Sequence, residues 1–363
     1  MDFILPQYNE PDLSNEPFAS SPNAETNSVI KPGVAPRNYH ATSNFPEYFK
    51  INNKWVLAAE SRMDCVVVVR EDGSLTIKEL RRLHAGEQVV VGRKIDGSAG
   101  IYVFSHGFTE KKFERDVFSF RNGRSRETSY SKDYDKLYAL LRHEKENGYV
   151  VWVLGPAVVF DQDSRTAMAS LVRNGFVDAI LAGNALATHD LEGAMFKTAL
   201  GQNIYNQTSM PEGHYHHMEV LNTARSYASL EEFVKNEQIN DGIIHACIEN
   251  SIPFVLTGSI RDDGPLPEVI SDVYKAQDIM REHMKKATTV IGMATMLHTI
   301  ATCNMTPSYQ VVNGTVRPVY IYSVDVSEFA VNKLKDRGTI AVTTIVGNVQ
   351  DFIVHVERNL VGM

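Results

Sequence analysis

The chain has 363 residues, a formal net charge of −8, 43% hydrophobic and 22% charged residues. That length suits one large or two medium domains with a sizeable core, and the acidic balance argues against a nucleic-acid partner, which needs a basic face. No apolar stretch is long enough to span a bilayer, and the N-terminus lacks a basic, apolar secretory leader, so a cytoplasmic protein without a membrane partner is expected.

Residues 1–37 hold six of the fourteen prolines and little hydrophobic period, which predicts an extended arm and favours a loose tail. Residues 38–125 read as a β-rich domain on the substrate side. Phe49–Leu57, Asp64–Arg70 and Gln88–Val91 are rich in Val, Ile and aromatics, Glu71-Asp72-Gly73 marks a hairpin, and a short helix is expected at Ile77–Leu83. From 126 to 363 continuous apolar strands alternate with helices. A helix opening at Ser131 stops at Gly148, and strand Val150–Leu154 follows. A helix over 164–174 precedes strand Val177–Ala182, and Ser229 with Glu232 spells a capping box. Strand Phe254–Thr257, helix Val269–Lys285, strand Thr288–Ile291, strand Val319–Asp325, helix Ser327–Lys335, strand Ile340–Val346 and a closing helix from Val349 complete the pattern. This alternation predicts an α/β fold with a parallel sheet covered on both faces.

In such sheets ligands bind beyond the carboxyl ends of the strands. The loops there are rich in small residues: Gly155-Pro156-Ala157, Gly183-Asn184-Ala185, Gly258 to Gly264, Ala294 to His298, and Gly347-Asn348-Val349. They let a ligand approach the backbone, and free N–H groups at the following helix starts suit a dinucleotide pyrophosphate. Asp325 ends a strand where a carboxylate could hold ribose hydroxyls. The G-x-G-x-x-G and P-loop fingerprints are absent, so ordinary β-α turns remain the competing reading. His214-Tyr215-His216-His217 is the densest histidine cluster; adjacent histidines diverge on any regular element, so no metal site is expected and proton transfer is favoured over ligation. Arg261-Asp262-Asp263 is either a solvated turn or a carboxylate or phosphate grip. Cys65, Cys247 and Cys303 show no paired spacing.

Several strings together resemble the lysine-oxoglutarate reductase/saccharopine dehydrogenase-related family, which includes archaeal-type ornithine cyclodeaminase and the C-terminal part of cyanobacterial arginine dihydrolase/ornithine cyclodeaminase. They run from Tyr39-His40-Ala41-Thr42-Ser43-Asn44-Phe45-Pro46 and Arg62-Met63-Asp64-Cys65 through Thr188-His189-Asp190-Leu191-Glu192 to Gly258-Ser259-Ile260-Arg261-Asp262-Asp263-Gly264-Pro265-Leu266-Pro267. The resemblance covers nearly all of the chain after the arm. It implies a Rossmann-like domain of the deoxyhypusine synthase type, with NAD contacts at Asn184, Ala185, Asp263, Thr295, Met296, Leu297, His298, Asp325, Asn348 and Val349. It also implies the conversion of L-ornithine to L-proline and ammonia by internal hydride transfer. Candidates for that chemistry are Arg261 or Lys94 for the carboxylate, His216 or His217 for proton transfer, and Glu127 or Asp262 for the amine. Tyr102 and Tyr215 stand where the family carries arginines, which removes carboxylate-binding capacity. Competing readings are an NAD(P)-dependent amino-acid or imine oxidoreductase and a non-catalytic NAD-binding regulator. A small amino-acid substrate and a homodimer or homotetramer are expected.

Overall fold

The computed structural model describes residues 3–108, 129–260, 262, 264–327 and 341–362, and the side chains of 129–133 are left out of that description. The first region contains β1 (Thr26–Ser28), β2 (Glu47–Ile51), β3 (Lys54–Leu57), β4 (Glu60–Ser61), β5 (Val66–Val69), β6 (Leu75–Lys78), β7 (Gln88–Val90) and β8 (Ile101–Val103). Two antiparallel sheets form, ordered β1-β7-β5-β6 and β3-β2-β8. The apolar run 49–57 breaks into β2 and β3 because Asn52 and Asn53 both turn left-handed, at φ 50° and 64°. Asparagine tolerates that conformation, and two such residues make a tight hairpin. The helix expected at Ile77–Leu83 shrinks to a single 3-10 turn, Leu80–Arg82. Ile77 instead pairs with Val67 and buries its side chain in the β core, so sheet packing overrides the local helical pattern.

The arm is not a loose tail. Its β1 pairs with β7, and Ala24 and Val29 are buried. The buried ammonium of Lys50 explains part of this order, since a buried cation needs acceptors. Three arm carbonyls, those of Phe18, Ala19 and Ser21, supply them at 3.2, 2.9 and 2.8 Å. Phe18 also packs 4.7 Å from the ring of Tyr102, which gives that tyrosine a role in holding the arm.

The second region runs α1 (Ser129–Asn147), β9 (Val150–Leu154), α2 (Gln162–Arg173), β10 (Ala179–Gly183), α3 (Asn184–Phe196), β11 (Thr198–Ala199), β12 (Gln202–Asn203), α4 (Gly213–Ala224), α5 (Leu230–Asn236), α6 (Ile243–Glu249), β13 (Phe254–Thr257) and α7 (Val273–Met284). It continues with β14 (Thr289–Met293), α8 (Met296–Met305), β15 (Tyr309–Val312), β16 (Thr315–Pro318), β17 (Tyr320–Asp325), β18 (Ala341–Val346) and α9 (Val349–Leu360). The helix expected at Ser327–Lys335 falls almost wholly outside the described residues. Helix α7 starts four residues later than the pattern suggested. Ile270 stays extended to bond β13, and Asp272 then caps the helix by accepting from the N–H groups of Tyr274 and Lys275.

Six strands form one parallel sheet in the order β13-β10-β9-β14-β17-β18. Counted along the chain within the sheet this is 3-2-1-4-5-6, the order of a Rossmann fold. It agrees with the expected architecture of a parallel sheet preceded by a smaller β-rich region. The apolar strands read so clearly because both faces are covered: all five residues of β9 are buried, and Trp152 donates from its ring to Phe176 O at 3.0 Å. Burying an aromatic of that size contributes on the order of 5 kcal/mol of gross hydrophobic stabilisation. The two regions are joined by β15, which pairs with β16 on one side and β4 on the other. Among the described residues no helix is long and apolar enough to cross a membrane.

Candidate active site

The strand order reverses between β9 and β14, and the crevice opens there. Gly155 follows β9 at this point. Its N–H donates to Met293 O at 2.8 Å, and a Cβ would collide with Ala294 O, so only glycine closes the two loops together. Helix α3 starts beyond β10 and helix α8 beyond β14, and neither has a side-chain cap on its first turn. Their first N–H groups are therefore open to an anionic ligand along one edge of the sheet. Helix α9 differs: Asn348 Oδ1 accepts from Gln350 N at 2.7 Å and Asp351 N at 3.4 Å, so its carboxamide caps the helix, while Val349 is buried. Asp325 ends β17 and accepts from Ser327 N at 2.8 Å.

His298 leans from α8 across the crevice. A Cβ on Gly183 would stand 2.9 Å from its Cε1, so that glycine makes room for the imidazole. Its Nε2 lies 3.0 Å from Thr257 Oγ1, and the same hydroxyl donates to Ala182 O at 3.3 Å. The hydroxyl has one proton, so its oxygen accepts from Nε2–H and Nδ1 is left as an acceptor. Burial lowers the affinity of this ring for a second proton, and nearby Asp262 only partly opposes that. His298 is thus neutral near pH 7. Thr295 sits at the start of the same helix, with Met296 and Leu297 exposed on its first turn.

A cavity of about 520 Å³ lies beside the N-terminus of α3, walled by α3, α4, Asp262 and Gly264. Asn184 and Ala185 line it, and Asn184 also braces the loop, donating to Gly264 O at 3.3 Å and accepting from Leu266 N at 3.0 Å. Asp262 lines it too, with one carboxylate oxygen accepting from Ser259 N at 2.7 Å. From α3, His189 faces the cavity with Nδ1 held 2.8 Å from Glu192 Oε2. Glu192 is fully buried and also accepts from Thr198 Oγ1 at 2.8 Å, Gly201 N at 3.0 Å and Leu200 N at 3.2 Å. Burial alone would push this carboxyl up, but the bonds from His189, Gly201 and Thr198 outweigh it and hold it below its ordinary value.

The two candidate histidines divide. His216 bonds Thr198 Oγ1 through Nδ1 at 2.8 Å and stacks on Phe196 at 4.7 Å, so it is held in the wall. His217 lines the cavity, 6.2 Å ring to ring from His189, and its buried Nδ1 has no partner among the described residues. Lys94 is exposed in the loop between β7 and β8 and is not among the residues lining this cavity. Glu127, Arg261 and Asp263 lie outside the described residues. Among those described, no cluster of three or more histidines, cysteines and carboxylates gathers as a metal site.

Residues 137–356 match the family described as arginine dihydrolase ArgZ-like, C-terminal, Rossmann fold, and residues 46–131 match the first region of that C-terminal part. The ornithine cyclodeaminase of Methanopyrus kandleri is 38% identical over 90% of this chain and 76% of its own length. The chain belongs to the ArgZ-like C-terminal family. A second member, the bifunctional arginine dihydrolase/ornithine cyclodeaminase AgrE of Nostoc, is 34% identical over 91% of this chain and 46% of its own. Among solved structures of the family, a putative LOR/SDH protein from Methanococcus maripaludis superposes with a TM-score of 0.82 at 33% identity, covering 93% of this chain and 98% of that one. A ternary complex of AgrE with ornithine and NAD+ gives 0.59 at 32% identity, covering 94% of this chain and 46% of that one.

The sequence pattern assigned no role to three residues at this site. His189 and Glu192 are three apart on α3, a spacing that puts them on one helix face and could have marked the pair. Arg225 had no local signal, since an arginine ending a helix reads as a dipole partner. It ends α4 and lines the cavity, and its guanidinium forms no ion pair among the described residues. Gly264 faces it so closely that a Cβ would stand 3.4 Å from its Nη1. Tyr215 is exposed on α4, against His214 at 4.1 Å.

Proposed function

We propose that this protein is an NAD-dependent cyclodeaminase that converts L-ornithine, or a related diamino acid, to L-proline, or a cyclic imino acid, with release of ammonia. The observation that carries this reading is the meeting, in one cavity beside α3, of a guanidinium and an imidazole nitrogen that have no side-chain partner among the described residues with a second imidazole backed by a carboxylate. NAD is the cofactor, and the residues fit it. The glycine at the strand-order reversal, the two uncapped helix starts and the carboxylate of Asp325 suit a dinucleotide laid along the sheet edge. Bound there, NAD supplies reversible hydride acceptance, so substrate can be oxidised at Cα and reduced again with no net change in cofactor.

The chain's own groups do the rest. Arg225 holds the substrate carboxylate through charge-assisted bonds and fixes which face of Cα meets the crevice. His217 takes the proton from the α-amine as Cα is oxidised, using the nitrogen that has no partner among the described residues. His189, its other nitrogen anchored on Glu192, receives the proton of the attacking δ-amine and returns one to the departing ammonia. Neutral His298 adds no positive charge to the crevice where a hydride must leave.

The test is incubation of the purified protein with ornithine and substoichiometric NAD+, following ammonia, proline and NADH together. Proline and ammonia in equal amounts, in excess over NAD+ and without accumulated NADH, are expected. NADH accumulating with product would make the protein a net oxidoreductase. NAD+ binding without turnover of any diamino acid would make it a non-catalytic NAD-binding protein.

A further inference from the structure

A second cavity, of about 510 Å³, lies where the first region meets α7 and α8. Arg62, Glu79 and Arg81 reach it from the first region, and Tyr274 and Arg281 reach it from α7. The charges around it do not balance. Arg62 and Arg281 both pair with Glu79. Arg81 and Arg281 both pair with Asp278, at 2.8 and 3.2 Å, and Arg82 approaches it to 4.0 Å. Four guanidiniums thus share two carboxylates, and Asp64 in the wall still leaves a positive surplus. A carboxyl oxygen of Glu60 is buried outside the lining of this cavity, so Glu60 does not offset the surplus there.

Arg281 carries most of the burden. It is only 3% exposed, and its buried Nε–H meets no acceptor among the described residues. An unmet donor on a buried cation is costly, and an anionic oxygen would meet it. Arg81 is already oriented, with its guanidinium 5.1 Å from the centre of the Tyr274 ring.

We propose that this cavity binds a small anion through its carboxylate or phosphate oxygens, at a site separate from the hydride-transfer crevice. The site touches the same helix as the cofactor edge. Leu297, Ile300 and Asn304 of α8 line the anion cavity, while His298 of α8 lies at the crevice. An occupant braces α8 from behind.

Titration calorimetry on the full chain, with excess NAD+ present and at constant ionic strength, provides the test. Inorganic phosphate and malonate are titrated separately, so the two arms tell a phosphate ligand from a carboxylate one. At least one is expected to bind saturably at one site. Arg81→Gln, at the partly exposed rim, is expected to weaken that binding about ten-fold or more, the effect of losing one charge-assisted bond. Arg225→Gln, in the other cavity, is expected to leave it unchanged. Saturable heat from neither anion, or binding unaltered by Arg81→Gln, overturns the proposal. Loss of binding in Arg225→Gln would place the anion in the first cavity and overturns it equally.

Discussion

Helix α3 has two polar faces, and they are built to opposite ends. On one, Asp190 is buried and every oxygen is used: it meets Arg165 Nε at 2.7 Å and accepts from Ile243 N and Ile244 N at 3.0 and 2.8 Å, where α6 begins. Arg165 is completed by Asp241 at 3.0 Å, and Gly242 is required beside it because a Cβ there would strike the guanidinium. On the other face, His189 and Glu192 satisfy each other, but the cavity that His189 lines contains an imidazole nitrogen of His217 and a guanidinium of Arg225 that have no side-chain partner among the described residues. Closed networks hold helices together, whereas open ones keep donors and acceptors for a ligand. The same helix does both because residues 189 and 192 face away from 190.

The largest effect is expected on the closed side. Asp190→Ala strands the buried Arg165 and uncaps α6, and is expected to cost about 3–5 kcal/mol in urea unfolding. On the open side stability should hardly move while function collapses. His217→Asn is expected to lower ammonia release from ornithine roughly 10²–10⁴-fold, the usual value of a positioned proton-transfer group, with an unchanged unfolding midpoint. Arg225→Gln is expected to raise KM about 10–100-fold, matching the loss of a charged hydrogen bond, and to leave kcat less affected. If its effect falls on the unfolding midpoint instead, the guanidinium belongs with the scaffold.

Asn348→Ala sharpens a smaller distinction. Its carboxamide caps α9, so a loss of about 1 kcal/mol in stability is expected, with little change in the apparent Kd for NAD+. The smallest effect is on acid stability. Glu192 is held below its ordinary value of 4.5, so its stabilising contribution is full above that value and fades as pH falls through the lowered one. Glu192→Gln is expected to flatten the acid limb of Tm against pH.

Much of the fold was legible in the chain. Val150–Leu154 and Phe254–Thr257 are apolar runs bounded by glycine, proline or polar loops, and both are strands of the parallel sheet. The crevice loops were legible for a related reason, since Gly155 and Gly183 each sit where a side chain would collide across it. Less was legible of the β-rich region. Its 77–83 segment carries a helical period that pairing with β5 overrides, and the arm's order depends on a buried lysine in β2.

The sequence by itself determined the alternation of strands and helices, the place of the crevice and the family of the chain, because these are written in local hydrophobic period and in contiguous strings. Tertiary structure alone decided which polar groups are partnered. Thr198 and Phe196 withdraw His216 into the wall while its neighbour His217 is left open, although the two are adjacent in the chain. The approach of α4 to the α3–β12 segment, permitted by Gly201 against Gly213, brings Arg225 within the same cavity as His189. Whether a donor is satisfied depends on what lies within about 3 Å in space, and such neighbours are set by packing between elements distant in sequence.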